Sequence, residues 1–246
     1  MTRPLLIGYV GLLAVVLLAG QAAVPPAPQP VVRVYGAMRN FMMRGDLGGR
    51  VRLDSLPTTQ LYALGVAAGL RGELLAWGSR ATLTTVAPGG RTRSLAAPAG
   101  TQAALLVAAQ VPRWQAQPIP AAVRSLTELE RLVARAAARR GLDTLRPIPF
   151  QLRGRPEVLR YHVMNWPGPQ VKHTMQNHHQ YAVKGTFNGQ PVEILGFFSR
   201  QHQTVFTHHT TFLHLHARPA GQPFAGHVDS LRFAAGAATL YLPAVR

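Results

Sequence analysis

Apolar positions fall into several distinct patterns along the chain. An unbroken apolar run from Pro4 to Gly20 follows the basic Arg3 and exits through Ala19-Gly20-Gln21-Ala22-Ala23, the layout of a secretory signal peptide ending near residue 23. The alternative is an uncleaved anchor, because a run of this length sits at the lower limit for crossing a bilayer. Residues 24–30 (VPPAPQP) form a Pro-rich tether with no capacity to pack, so folding should begin near Val31. Val31 to Tyr35 and Val51 to Leu53 then predict strands. Pro57-Thr58-Thr59 predicts the start of a short helix with Leu61, Leu64 and Ala68 on one face. Gly72 to Trp77 and Arg80 to Val86 predict a β-hairpin around Gly78-Ser79, while Ala103 to Val111 fits a buried strand or a short helix equally well.

The clearest helix starts at Ser125, whose S-x-x-E spacing to Glu128 is a capping box, and it carries Leu126, Leu129, Leu132, Val133 and Ala136 along one stripe before Gly141. From Phe150 onward the pattern becomes strand-like, at Gln180 to Phe187, Val192 to Phe198, Thr204 to His216 and Thr239 to Leu242, separated by Gly, Asn and Pro turns. The expected fold class is α/β (α+β), with an N-terminal α/β domain over residues 31–145 and a β-rich, mostly antiparallel domain over 146–246. No internal repeat is apparent.

Composition narrows the chemistry. The 246 residues contain no Cys, which excludes disulfide scaffolds, Cys-ligated zinc, Fe–S clusters and thiol nucleophiles. A metal here must be held by His, Asp or Glu. The 26 basic residues against 9 acidic ones give a formal charge of +17. That charge is Arg spread singly or in pairs, with Lys172 and Lys184 the only lysines, so no basic run or nucleic-acid module emerges. Its expected consequence is steering of small anions.

All 10 histidines lie after Tyr161. In Leu213-His214-Leu215-His216, strand alternation places the two imidazoles on one face and the leucines on the other. The Pro/Gly-rich stretch from Ala217 to Gly226 can turn the chain and return His227 beside them. Three neutral imidazoles with an open position is the ligand set of catalytic zinc. His208 shares parity with His214 and could support it, with a surface role as the alternative; Asp229 could orient a ligand imidazole or close a turn. His173, His178 and His179 sit in a polar stretch and read as solvated.

The segment from Leu195-Gly196-Phe197-Phe198 through Thr207-His208-His209-Thr210-Thr211-Phe212-Leu213-His214-Leu215-His216 to Gly226-His227-Val228-Asp229 resembles the zinc-binding region of the acetolactate decarboxylase family. Gly65-Val66-Ala67-Ala68-Gly69-Leu70-Arg71-Gly72-Glu73 independently resembles that family's G-x-x-x-G-L-x-G-E segment, so the similarity runs from about Val31 to Leu242. The resemblance implies a two-domain fold with a mixed N-terminal sheet and the metal on the C-terminal sheet. It further implies His214, His216 and His227 as zinc ligands, Glu73 as the proton-handling carboxylate and Arg153 as the grip on the substrate carboxylate. The family carries a second functional glutamate near its C terminus. Here nothing acidic follows Asp229, and Tyr241 stands where that residue is expected.

The implied reaction is decarboxylation of 2-acetolactate to acetoin, with zinc stabilising the charge left on the carbonyl oxygen. Other readings of the same inventory are a cupin-like or carbonic-anhydrase-like metalloenzyme, and an exported protein that kept the metal site without catalysis. The expected partner is a small anionic 2-hydroxy-3-oxo acid, with a homodimer left open, no nucleic acid and no stable membrane span after signal cleavage.

Overall fold

The computed structural model describes residues 29–171 and 174–245. The N-terminal apolar run, the start of the Pro-rich tether and His173 lie outside the described residues. The chain builds two sheets in succession. The first holds β1 (Val32–Tyr35), β2 (Val51–Arg52), β3 (Leu61–Ala67), β4 (Glu73–Trp77), β5 (Arg80–Val86), β6 (Thr92–Ala96) and β7 (Gln102–Gln110), in the order β1-β7-β3-β4-β5-β6 with β2 beside β7. The second holds β8 (Trp114–Ile119), β9 (Ile148–Gly154), β10 (Val158–Met164), β11 (Ala182–Phe187), β12 (Val192–Phe198), β13 (Leu213–Pro219), β14 (Gly226–Arg232) and β15 (Ala238–Pro243), in the order β11-β10-β14-β13-β12-β9-β15-β8. Three helices accompany them among the described residues: α1 (Met38–Arg44), α2 (Leu126–Arg139) and α3 (Met175–Gln180). None is long and apolar enough to cross a membrane.

Several expectations change. Every strand pair in the first sheet is antiparallel, so that sheet is not mixed. The helix expected from Pro57 is instead β3, flanked by β7 and β4 and buried on both faces. A strand covered on both sides loses its alternation and reads as a continuous apolar run, which at this length mimics a helix turn. The ambiguous segment from Ala103 is likewise a strand. Thr204 to Thr211 is a tight loop rather than the start of β13, in which the His202 carbonyl accepts from the N–H groups of Val205, Phe206 and Thr207. The chain passes between sheets at residues 111–113: β8 and α2, expected with the first part, pair with and pack on the second sheet.

Alternation within β12 and β13 sorts the layers. Ile194, Phe198, Leu213, Leu215 and Ala217 pack beneath α2, while Leu195 and Phe197 pack against Leu64, Val66 and Val107 on the first sheet and Phe206 in the loop before β13. The α2 stripe buries Leu129, Val133, Ala136 and Ala137. Its cap holds as expected on one side, Ser125 Oγ accepting from the Glu128 N–H at 3.1 Å, but the Glu128 carboxylate accepts from the Arg124 N–H, one residue earlier than a reciprocal capping box requires. His214 and His216, alternating with the leucines, therefore face the first sheet.

Candidate metal centre

The turn between β3 and β4 delivers one side of the site. Gly69 and Gly72 lie at φ +73° and +118°, and a Cβ on Gly72 would stand 2.5 Å from the Thr84 carbonyl oxygen, so only glycine fits there. Glu73 follows as the first residue of β4 and is buried. Its Oε1 accepts from the Met164 N–H at 3.1 Å, and its Oε2 lies 3.6 Å from His216 Nε2.

The other side comes from the second sheet. Strand register aligns Lys184, His162, His227 and His216 in one row across β11, β10, β14 and β13. Strands β13 and β14 pair only at His216–His227 and Ala217–Gly226, then part, with His214 beyond the last pair. One nitrogen from each of His214, His216 and His227 lies within 4.8 Å of the others. Burial drives the His214 pKa down to about 3, helped by nearby His162 and opposed by the Phe206 backbone, and it drives His216 and His227 well below the ordinary imidazole value. All three rings are thus neutral with lone pairs available. His214 Nδ1 and both ring nitrogens of His216 are buried without a hydrogen-bond partner, and a cation bound by one nitrogen of each ring would relieve part of that cost. The donor set fits a divalent metal, and His214, His216 and His227 are the residues that would hold it.

Around the triad the electrostatics diverge. Burial raises the Glu73 pKa to about 7, against the opposing pull of His162 and the Met164 N–H. Burial alone would lower His162, but its Nδ1 lies 2.7 Å from Asp229 Oδ1, and that hydrogen bond and charge, with Glu73 behind them, hold its pKa above the usual value. Glu73, His162, Asp229, His178, Lys184, His214 and His227 all line one cavity of about 820 Å³.

No protein-family model matches the sequence, and no curated protein does either. Solved structures do. Over 86% of this chain and 84% of the other, it superposes on α-acetolactate decarboxylase from Bacillus subtilis strain 168 with a TM-score of 0.66 at 12% identity. The enzyme from Bacillus subtilis subspecies spizizenii gives 0.69 at 14% identity, over 86% and 85% of the two chains. A Staphylococcus aureus protein of unknown function, described as similar to α-acetolactate decarboxylase, gives 0.64 at 13%, over 88% and 85%. The fold is that of the acetolactate decarboxylases.

Within this acetolactate decarboxylase fold, the sequence-derived residues separate into two groups. His214, His216, His227, Glu73 and Asp229 converge, although Asp229 holds His162 rather than a triad imidazole. His208 lines the cavity with its Nδ1 2.8 Å from Thr210 Oγ1, and His178, expected in solvent, is half-buried in the wall with its ring 5.8 Å from that of His162. Arg153 and Tyr241 are not among the cavity residues. Arg153 sits on β9, beyond β12 from the triad, where its guanidinium donates to Gln151 Oε1, approaches Glu193 at 3.7 Å and stacks 4.7 Å from the Tyr241 ring and 5.5 Å from Trp77. Sequence reasoning missed His162. Its partner is 67 positions away, and only recognition of β10 as a strand bordering the triad would have exposed it.

Proposed function

We propose that this protein is a zinc-dependent decarboxylase of 2-hydroxy-3-oxo acids that converts 2-acetolactate to acetoin. The observation that carries the reading is the buried Glu73 carboxyl beside His216, lining the cavity that His214 and His227 also line, on the acetolactate decarboxylase fold. Zinc, when bound, supplies Lewis-acid stabilisation of the negative charge that develops on the substrate's carbonyl oxygen.

The chain's own groups account for the remainder. The bond from the substrate's hydroxyl-bearing carbon to its carboxylate breaks, CO₂ departs, and the electron pair passes to the adjacent carbonyl. Glu73, whose pKa burial raises to about 7 in the metal-free protein, acts in its protonated form and returns a proton to the hydroxyl-bearing carbon; water then reprotonates it. Because Oε1 is committed to the Met164 N–H, Oε2 is the oxygen free to carry the proton. Delivery from this fixed side would yield a single enantiomer.

With Arg153 outside the cavity, His162 holds the carboxylate in its place. Asp229 orients its Nδ1 and favours the cationic ring, which leaves Nε2 to donate. One imidazole rather than a bidentate guanidinium grips the leaving group loosely, and ground-state binding of a group that must depart does not lower the barrier. A non-catalytic metal-binding role is the second reading, favoured by the absence of any acidic residue after Asp229. We propose also that residues 1–23 direct export.

The test is acetoin formation from racemic 2-acetolactate by zinc-loaded protein, alongside Glu73→Gln and His214→Ala. The expected result is activity that falls by roughly 10²- to 10⁴-fold in Glu73→Gln, the usual weight of a general acid, with zinc retained. His214→Ala should lose both zinc and activity. A protein that binds one zinc and releases no CO₂ would leave only the second reading.

A further inference from the structure

The cavity is larger than acetolactate alone needs. A molecule of about nine non-hydrogen atoms needs space on the order of 150 Å³, a few waters' worth, whereas the cavity holds about 820 Å³. What fills the difference is legible in its wall. Across β7, β3, β4 and β5, register aligns Leu105, Val66, Glu73 and Thr84 in one row. The row therefore passes from the acid to apolar side chains within one strand spacing and reaches Leu105 after two, about 10 Å from Glu73.

Beyond that row the lining continues with Leu70 and with Met38 and Met42, one turn apart on α1. Two hydrogen bonds tie α1 to the loop between β12 and β13, from the Met38 N–H to the Val205 carbonyl at 2.7 Å and from the Arg39 N–H to that of Thr204 at 3.0 Å. Methionine side chains are unbranched and polarisable, suited to alkyl groups of varied shape. The polar groups of the cavity come chiefly from the second sheet around His162 and the triad, a side that also contributes Leu213 and Leu215. The cavity is thus amphipathic, with an anion-binding and metal-binding end and an apolar arm.

We infer that the site also takes, and prefers to acetolactate, a 2-hydroxy-3-oxo acid bearing a long apolar chain, its head at the triad and its chain lying along Val66 and Leu105 towards Met38 and Met42. The inference rests on the decarboxylase reading for the head group alone. The arm accommodates a chain of roughly six to eight carbons, at the ~1.2 Å per bond of an extended backbone.

Calorimetric binding separates the two ideas. The probes are 2,3-dihydroxy-2-alkyl butanoates with methyl, butyl and hexyl substituents, which lack the ketone and keep their carboxylate, titrated into zinc-loaded protein. The parallel turnover series uses the matching 2-alkyl-2-hydroxy-3-oxobutanoates. Affinity should rise about fourfold per methylene from methyl to hexyl, the ~0.8 kcal/mol of burying each CH₂. Met42→Trp, at a partly exposed helical position that tolerates a larger side chain, should flatten that gradient. Affinity that is level or falls with chain length overturns the inference, whatever the turnover of acetolactate. Rising affinity with no CO₂ from any ketone upholds the arm and removes the decarboxylase reading instead.

Discussion

Acidifying the metal-free protein tests the electrostatics of the centre directly. In the unfolded chain His214, His216 and His227 each take up a proton near pH 6.5, whereas in the fold burial keeps all three neutral far below that. Their contribution to stability is therefore intact above pH 6.5 and is lost as pH falls below it. Glu73 runs the other way: its folded pKa of about 7 lies above the unfolded carboxylate value, so between roughly pH 7 and 4.5 the folded state binds a proton that the unfolded state does not. His162, raised in the fold, is protonated in both states below about pH 6 and drops out. Three protons favour unfolding and one opposes it. The net of two, at roughly 1.4 kcal/mol per proton per pH unit, is a loss of about 3 kcal/mol per unit between pH 6 and 5. That is a large share of an ordinary domain's 5–15 kcal/mol. Urea unfolding in EDTA at closely spaced pH values measures the slope, and His227→Gln should lower it by about half. A slope that stays flat in the wild-type protein, or that His227→Gln leaves unchanged, would refute the claim that the triad is buried neutral.

Two substitutions probe groups that the fold places differently from the sequence. Arg153→Ala should leave zinc content and acetolactate turnover close to wild type while lowering stability by about 1–2 kcal/mol, through loss of the guanidinium stacks on Tyr241 and Trp77; a collapse of kcat with zinc retained would return Arg153 to the site. Asp229→Asn keeps the shape of the pair but removes the charge that favours cationic His162, so KM for acetolactate should rise roughly tenfold with zinc content unchanged, and an unaltered KM would show that His162 does not hold the carboxylate.

What could be read from the sequence was what local periodicity governs. The alternation in Leu213–His216 places two imidazoles on the face opposite the α2 core, and a turn-rich link to His227 completes the triad. The Ser125 cap and the β4–β5 hairpin are likewise local, and both stand. Failures came where tertiary burial overrode the pattern. Strand β3, buried on both faces, imitated a helix. Thr204–Thr211 is rich in β-formers, yet the His202 carbonyl curls it into a turn. Arg153 enters only through the family resemblance, not through any local pattern. In space, Leu195 on β12 and Gln151 on β9 continue the triad's row between His216 and the Arg153 cluster, and nothing in the order of residues announces that separation.

The centre is built from parts of very different reach along the chain. His214, His216 and His227 belong to neighbouring strands of one hairpin, so bringing them together closes only a short loop at small entropic cost. Glu73 is anchored to the Met164 N–H across 91 positions, and it meets His216 only when the two sheets dock. The three imidazoles come together through a short-range closure, whereas Glu73 joins them through a long-range one, the kind of contact that slows folding.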